Sequence, residues 1–313
     1  MSSSNDLKGW NKLPSELRLE ILEFALTPPI ELPTPTISQK HRIMRYRYSY
    51  EQSGLWEAPT ENPTANLLLV KRQFYKDVKY ILDLLPNVYH VDVMLVKDRG
   101  LWPTWHCPKP PSSDVIEEVT VTFRIFEPTD DLDFRFKDSL RFYGGVSGPV
   151  PAVWVFHRLF LTLVHEGPGL MPRYPMDVLS NRLRFIIKRI KMNILSPNDG
   201  VAHTRLCCRE DEGPQGWGFF PCLCRSSERP EDQLAKFIGS HMSYISEPSK
   251  DGIENIGRYF KYLLEGISLR VNGVEYTTLD LDRSLEDIDF GGRDGPTLRR
   301  WCSAIRKKRE TMK

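Results

Sequence analysis

Leu17, Ile21, Phe24 and Ala25 recur at i, i+4, i+7 and i+8, and this spacing predicts a helix over 13–26 with one apolar stripe. Pro14 suits a first helical turn, where its missing N–H would have no intrahelical partner. Glu16 lies near the positive end of the helix dipole, and Pro28-Pro29 stops the helix. A second stripe, Leu67, Val70, Phe74, Val78, Ile81 and Leu85, predicts a helix over 66–85 that ends at Pro86. Between the two helices, residues 27–65 form a long connection rich in proline and threonine. Within it Met44, Tyr46, Tyr48 and Tyr50 alternate with Arg45, Arg47 and Ser49, the period of a strand. Residues 88–96 read as a strand leading into a core. Residues 97–114 carry Pro103, Pro108, Pro110 and Pro111 and are expected to be a linker or exposed loop.

Beyond that stretch strands and helices are mixed. Val119, Val121, Phe123 and Ile125 alternate with Thr120, Thr122 and Arg124, a half-buried strand. Residues 151–165 are apolar all round, as in a buried helix. Ile190, Met192 and Ile194 alternate with Arg189, Lys191 and Asn193, another strand. Residues 231–245 and 252–265 read as amphipathic helices, and 296–310 as a closing helix. Asn272-Gly273, between alternating segments at 267–271 and 274–279, predicts a two-residue type I′ hairpin turn. No internal repeat reaches the regularity of a solenoid. The predicted class is α+β. An N-terminal helical segment (1–96) packs with a mixed sheet-and-helix part (115–313), joined by the proline-rich stretch 97–114.

Charge and composition narrow the function. The chain has 313 residues with 43 basic and 41 acidic side chains, a formal net charge of +2. That balance gives no global attraction to nucleic acid or membrane. The start MSSSNDLKGW lacks a basic segment followed by an apolar one, so no secretory leader is expected. The most apolar stretch, 151–164, is interrupted by His157 and Arg158 and is too short to span a bilayer. Six unevenly spread cysteines do not form a disulfide framework. These features point to a reducing compartment, cytoplasm or nucleus or both, without a membrane partner.

Candidate chemistry is sparse. His203, Cys207, Cys208, Cys222 and Cys224 cluster in sequence, but Cys207-Cys208 and Cys222-x-Cys224 are not the knuckle spacings that zinc uses, so no metal is expected. The calcium-like run Asp287-x-Asp289-x-Gly291-Gly292 has Leu298 where the bidentate glutamate belongs. No phosphate loop, nucleophile elbow or metalloprotease motif occurs. The expectation is a non-enzymatic chain without cofactor. His157, on a buried helix, reads as a core residue. His41, Arg42, Arg45 and Arg47 interleaved with Tyr46 and Tyr48 offer a basic–aromatic strand for nucleic acid, although side-chain alternation explains the pattern fully. Arg306 to Arg309 form a basic run, either a nuclear-import signal or cations that suit a helix C-terminus.

Two motifs carry a family resemblance. Trp10 and Leu13-Pro14-Ser15-Glu16-Leu17-Arg18, followed by Ile21-Leu22 and Ala25-Leu26, resemble the opening of fungal F-box-like proteins, LP-x-E-[LI]-R-x-x-I. Leu68-Leu69-Val70 with Arg72-Gln73 and Tyr75 is similar to their second signature, LL-x-V-x-R-Q-x-Y. The resemblance covers the segment 1–96. It implies contact with the Skp-type adaptor of a cullin–RING ubiquitin ligase through Leu13, Pro14, Leu17, Ile21, Leu22, Leu68 and Val70, while the rest of the chain recruits a protein substrate. Three alternatives stand beside it. The stripes form only the domain's own core, or the segment is an F-box-derived scaffold without a ligase role, or the basic–aromatic strand binds nucleic acid. The insert 27–65 separates helices that a compact F-box places close together. Closing such a loop costs little extra with length, but the insert could cover the adaptor face.

Overall fold

The computed structural model describes residues 9–27, 32–44, 54–59, 67–68, 70, 72–137, 139–140, 151–169, 185–203, 206, 228–246, 261–286 and 295–311. Its helices are α1 (Ser15–Leu26), α2 (Pro35–Ser38), α3 (Arg72–Leu84), α4 (Pro151–Glu166), α5 (Pro230–Ser246), α6 (Leu281–Glu286) and α7 (Gly295–Glu310). Its strands are β1 (Ile43–Met44), β2 (Trp56–Glu57), β3 (Val88–Val96), β4 (Gly100–His106), β5 (Val115–Phe126), β6 (Ile186–Ile194), β7 (Leu263–Val271) and β8 (Val274–Asp280). The class is mixed α and β.

Strand alternation builds the main sheet, of order β4-β3-β5-β6-β7-β8. β3, β5, β6 and β7 are parallel, and β4 and β8 flank them antiparallel. Parallel neighbours need a crossover, and α4 and α5 supply those from β5 to β6 and from β6 to β7. Because the order advances in one direction, right-handed crossovers put both helices on one face. There Val91, Val93, Val121, Phe123, Met192 and Leu269 meet Phe156, Leu159, Leu163, Leu234 and Ile238 in a single buried cluster, joined by Leu285, Cys302 and Ile305 from α6 and α7.

Among the described residues a second cluster covers one end of the opposite face. Trp56, Met94, Val96, Trp102 and Phe136 form a small cluster there, beside an ion pair of 2.6 Å between Arg124 and the fully buried Asp92. Further along, the face carries cross-strand ion pairs. Glu118 meets Arg189 and Lys191, each at 2.8 Å.

The stretch 97–114 is not a linker. β4 lies within it, pairs with β3 from His90↔His106 to Val96↔Gly100, and buries Leu101, Trp102 and Trp105. Pro103, with no N–H to give, is tolerated because β4 is an outer strand; its carbonyl accepts from Arg42 at 2.9 Å. The prolines concealed an aromatic strand. The rest of the stretch is tied down as well. Lys109 donates to the carbonyls of Leu82, at 2.9 Å, and Leu85 at the end of α3, and Asn87 joins Ser112, Ser113 and Val115. β3, in the expected N-terminal segment, pairs with β5 across the expected boundary.

Other boundaries shift less. β7 begins at Leu263, where a helix to 265 was expected, and residues 252–260 of that helix lie outside the described residues. Of the strand expected from Met44 to Tyr50, Met44 belongs to β1, which pairs with β2; 45–50 lie outside the described residues. The hairpin is as expected. Asn272 and Gly273 have φ of 50° and 81°, the two positive angles of a type I′ turn. The Asn272 side chain also fastens the turn to the end of β6, accepting from the Ser196 N–H at 2.9 Å.

Candidate docking surface

α1 is apolar at Leu17, Leu19, Ile21, Leu22, Phe24 and Leu26, more positions than one neighbour can cover. At about 100° per residue, Leu19, Leu22 and Leu26 share one side and Leu17, Ile21 and Phe24 the other. The first set packs on α3. Leu22 and Leu26 join Phe74, Val78 and Ile81 in a cluster edged by Trp10, Leu19, Leu67, Leu68, Leu82 and Leu85, and the rings of Trp10 and Phe74 stack at 4.3 Å. The second set faces outward. Leu17 is 46% exposed, Ile21 47% and Phe24 69%, against 1% for Leu22.

A polar lock fixes this orientation. Arg18 Nε donates to Asp77 Oδ2 at 3.0 Å, and its guanidinium also donates to the Leu13 carbonyl at 2.9 Å. Gln73 donates to the other Asp77 oxygen at 2.8 Å. One arginine thus connects the approach to α1, α1 itself and α3.

The seven residues singled out by sequence divide accordingly. Pro14, Leu17, Ile21 and Val70 are exposed, and Leu13 is half-buried. Leu68 packs, partly buried, against the α1–α3 cluster. Leu22 is corrected: its side chain is core and cannot contact a partner while α1 stays on α3. Phe24, 69% exposed, belongs to the same outward stripe and lies beyond the contacts that the resemblance implies.

The remaining candidates are mostly structural. Arg42 is buried, donating to the carbonyls of Trp56 and Pro103 at 2.8 and 2.9 Å and to Thr104 Oγ1 at 2.8 Å. Burial pushes its pKa down to about 10. It is withdrawn from any basic–aromatic surface; Arg45, Tyr46, Arg47 and Tyr48 lie outside the described residues. In the C-terminal basic run Arg309 is 2% exposed. It donates to the carbonyls of Leu263, at 2.6 Å, and Leu264 and to Asp282 at 2.7 Å. Arg306 donates to the Leu285 carbonyl at 2.8 Å. Lys308 lies over the Tyr262 ring, 5.6 Å from its centroid, so three of the four cations make contacts within the fold.

Cys207, Cys208, Cys222, Cys224 and the run 287–292 lie outside the described residues. His203 pairs with Asp199 at 2.8 Å, and no group of three metal-ligating side chains occurs among the described residues. Burial pushes the Cys107 thiol up to about 12 and raises that of Cys302, opposite to what an attacking thiolate needs. His157 is buried, as expected, its ring 6.1 Å from that of His241. No helix among the described residues is long and apolar enough to cross a membrane.

No family model matches the chain, and no curated protein or solved structure matches it. The family resemblance therefore rests on the motif residues alone.

Proposed function

We propose that the α1–α3 pair is a docking module. Its outward stripe inserts into an apolar groove of a protein partner, the Skp-type adaptor of a cullin–RING ubiquitin ligase, while the sheet-bearing remainder recruits a protein substrate. One observation carries this reading. α1 has two apolar stripes and spends only one on its own core, leaving Leu17, Ile21 and Phe24 at the i, i+4, i+7 spacing of helix-in-groove recognition. The stripe that could have been dismissed as core is the one left outside. The F-box-like motifs supply the identity of the partner. The reading assigns the chain no catalysis and no cofactor.

Binding of purified chain to purified adaptor tests it. Leu17→Ala, Ile21→Ala and Phe24→Ala remove surface groups and leave stability nearly unchanged, so loss of binding by the triple variant is separable from unfolding. If folded wild-type chain fails to bind at micromolar concentration, the ligase-receptor reading fails and a scaffold without ligase role replaces it.

A further inference from the structure

The charges of α1 are distributed as unevenly as its apolar residues. Within Ser15–Leu26 the acidic residues are Glu16, Glu20 and Glu23 and the one cation is Arg18. All three carboxylates are exposed. Arg18 is turned away from that surface, its side chain 16% exposed and its charge matched by Asp77 at 3.0 Å. No ion pair joins Glu16, Glu20 or Glu23 to a described cation. Lys12 lies before the helix, in the 3-10 turn Trp10–Lys12.

The helical wheel places these groups. With Leu17 as zero and about 100° per residue, Ile21 and Phe24 lie within about 40° of it. Glu16, Glu20 and Glu23 all fall on one flank, between about 60° and 120° away. The other flank carries Ala25 and, turned toward α3, Arg18. The outward surface is an apolar ridge with a wall of negative charge along one side and a small, uncharged other side.

We propose that the partner's groove is apolar at its floor and lined by lysine or arginine along one wall only, the wall that meets Glu16, Glu20 and Glu23. This deepens the docking reading and rests on it. Exposed complementary charge acts mainly on encounter rate and orientation, and a one-sided row fixes the direction in which the helix lies in the groove. Arg18 is then a positioning residue: pairing with Asp77 holds its positive charge off the ridge.

The test is the association rate of the purified chain with purified Skp-type adaptor, measured by stopped flow from low to high salt. Wild type should associate fast at low salt and slow steeply as salt rises. Glu16→Gln, Glu20→Gln and Glu23→Gln together should slow low-salt association by about tenfold or more, with little change at about 1 M salt, where the screening length is about 3 Å. The dissociation rate should change less than the association rate. A control with the same change of net charge at the distant exposed sites Glu275, Glu286 and Glu310 should leave association near wild type. Binding that is fast but insensitive to salt and to the triple substitution overturns this inference and leaves the docking reading standing, as does an equal loss in the control. No binding by folded wild type at any salt overturns both.

Discussion

Arg42 shows how a side chain that looks like a surface cation becomes a fastener. Its fork reaches two carbonyls and the hydroxyls of Ser38 and Thr104, which no shorter side chain can serve together, and its guanidinium lies 5.2 Å from the Trp102 ring centroid. Lysine has one point charge and no fork. Arg42→Lys should therefore destabilise the fold by about 2 kcal/mol and Arg42→Met by about 3 kcal/mol, since each buried acceptor left unpaired costs about 1–3 kcal/mol. Urea unfolding at neutral pH measures both; values within 0.5 kcal/mol of wild type, a threshold of about the usual surface effect, would show that Arg42 is not a clasp. At the same scale, burial pushes His241 down to about 4 from 6.5. Burial also lowers His90 and His106, the latter further through repulsion by His90. A base whose pKa is lower folded than unfolded gains protons on unfolding, so stability is full above about pH 6.5 and falls as pH drops from there toward 4. The His241 share of that loss is about 3 kcal/mol at its full extent. Unfolding free energies between pH 7.5 and 4.5 should fall in wild type and fall less in His241→Gln; parallel curves would contradict this assignment.

At the scale of elements, helices and strands with clean periods were legible and their partners were not. α1 ends at Leu26 as expected but starts at Ser15, with Pro14 as its non-helical N-cap rather than in its first turn; its apolar residues fit two stripes, and only the position of α3 decides which one is inside. That position depends on contacts formed across the insert 27–65, which no local pattern encodes. β4 was hidden because Pro103 and its proline-rich surroundings read as a loop, whereas an outer strand accommodates proline wherever its N–H would not be used. β7 was cut short because Tyr259, Phe260 and Leu263 fit a helical stripe, while Leu263 belongs to a strand buried in the sheet. The Asn272-Gly273 turn was legible because its backbone angles are demanded locally. Two substitutions in α1 test the choice of stripe. Leu22→Ala should cost about 2–5 kcal/mol through lost transfer energy and a residual cavity, while Leu17→Ala should stay within about 0.5 kcal/mol of wild type. Equal costs would mean that the two stripes are not inside and outside. Gly266 offers a further check, since a Cβ there would meet the Leu279 carbonyl oxygen at 2.1 Å. Gly266→Ala should pry β8 from β7 and lower the melting temperature by several degrees, which thermal unfolding followed by circular dichroism reads directly.

For the molecule as a whole, the sheet divides the work. One face carries the main core, and beyond Trp102 and Phe136 the other carries charged side chains, which is why Arg189 and Lys191 alternate with core positions on β6. The helix pair has its own small core and is linked to the sheet by the chain running from α3 into β3 and by Lys109 across the end of α3. The mixed class was legible from alternating periods; the parallel order β3-β5-β6-β7 was not, because crossover connections leave no residue-level mark. The basic C-terminus is a case where the whole overrides the part. Arg309 closes α7 against β7 and α6, so replacing all of Arg306 to Arg309 by alanine should lower stability before it alters distribution in a cell, and Lys307→Ala with Lys308→Ala is the cleaner test of import. A fluorescent fusion of that double variant with wild-type stability and wild-type distribution would remove the signal reading.

The central claim is that α1 keeps one apolar stripe for a partner. Its most direct test is calorimetric titration of purified Skp-type adaptor into the wild-type chain and into the combined Leu17→Ala, Ile21→Ala and Phe24→Ala variant, with the melting temperature of each recorded. The account predicts a one-to-one complex for wild type and a loss of affinity of about thirtyfold or more for the variant, the size of an interfacial hot spot, at a nearly unchanged melting temperature. A variant that binds as well as wild type, or a folded wild type that does not bind, would contradict it.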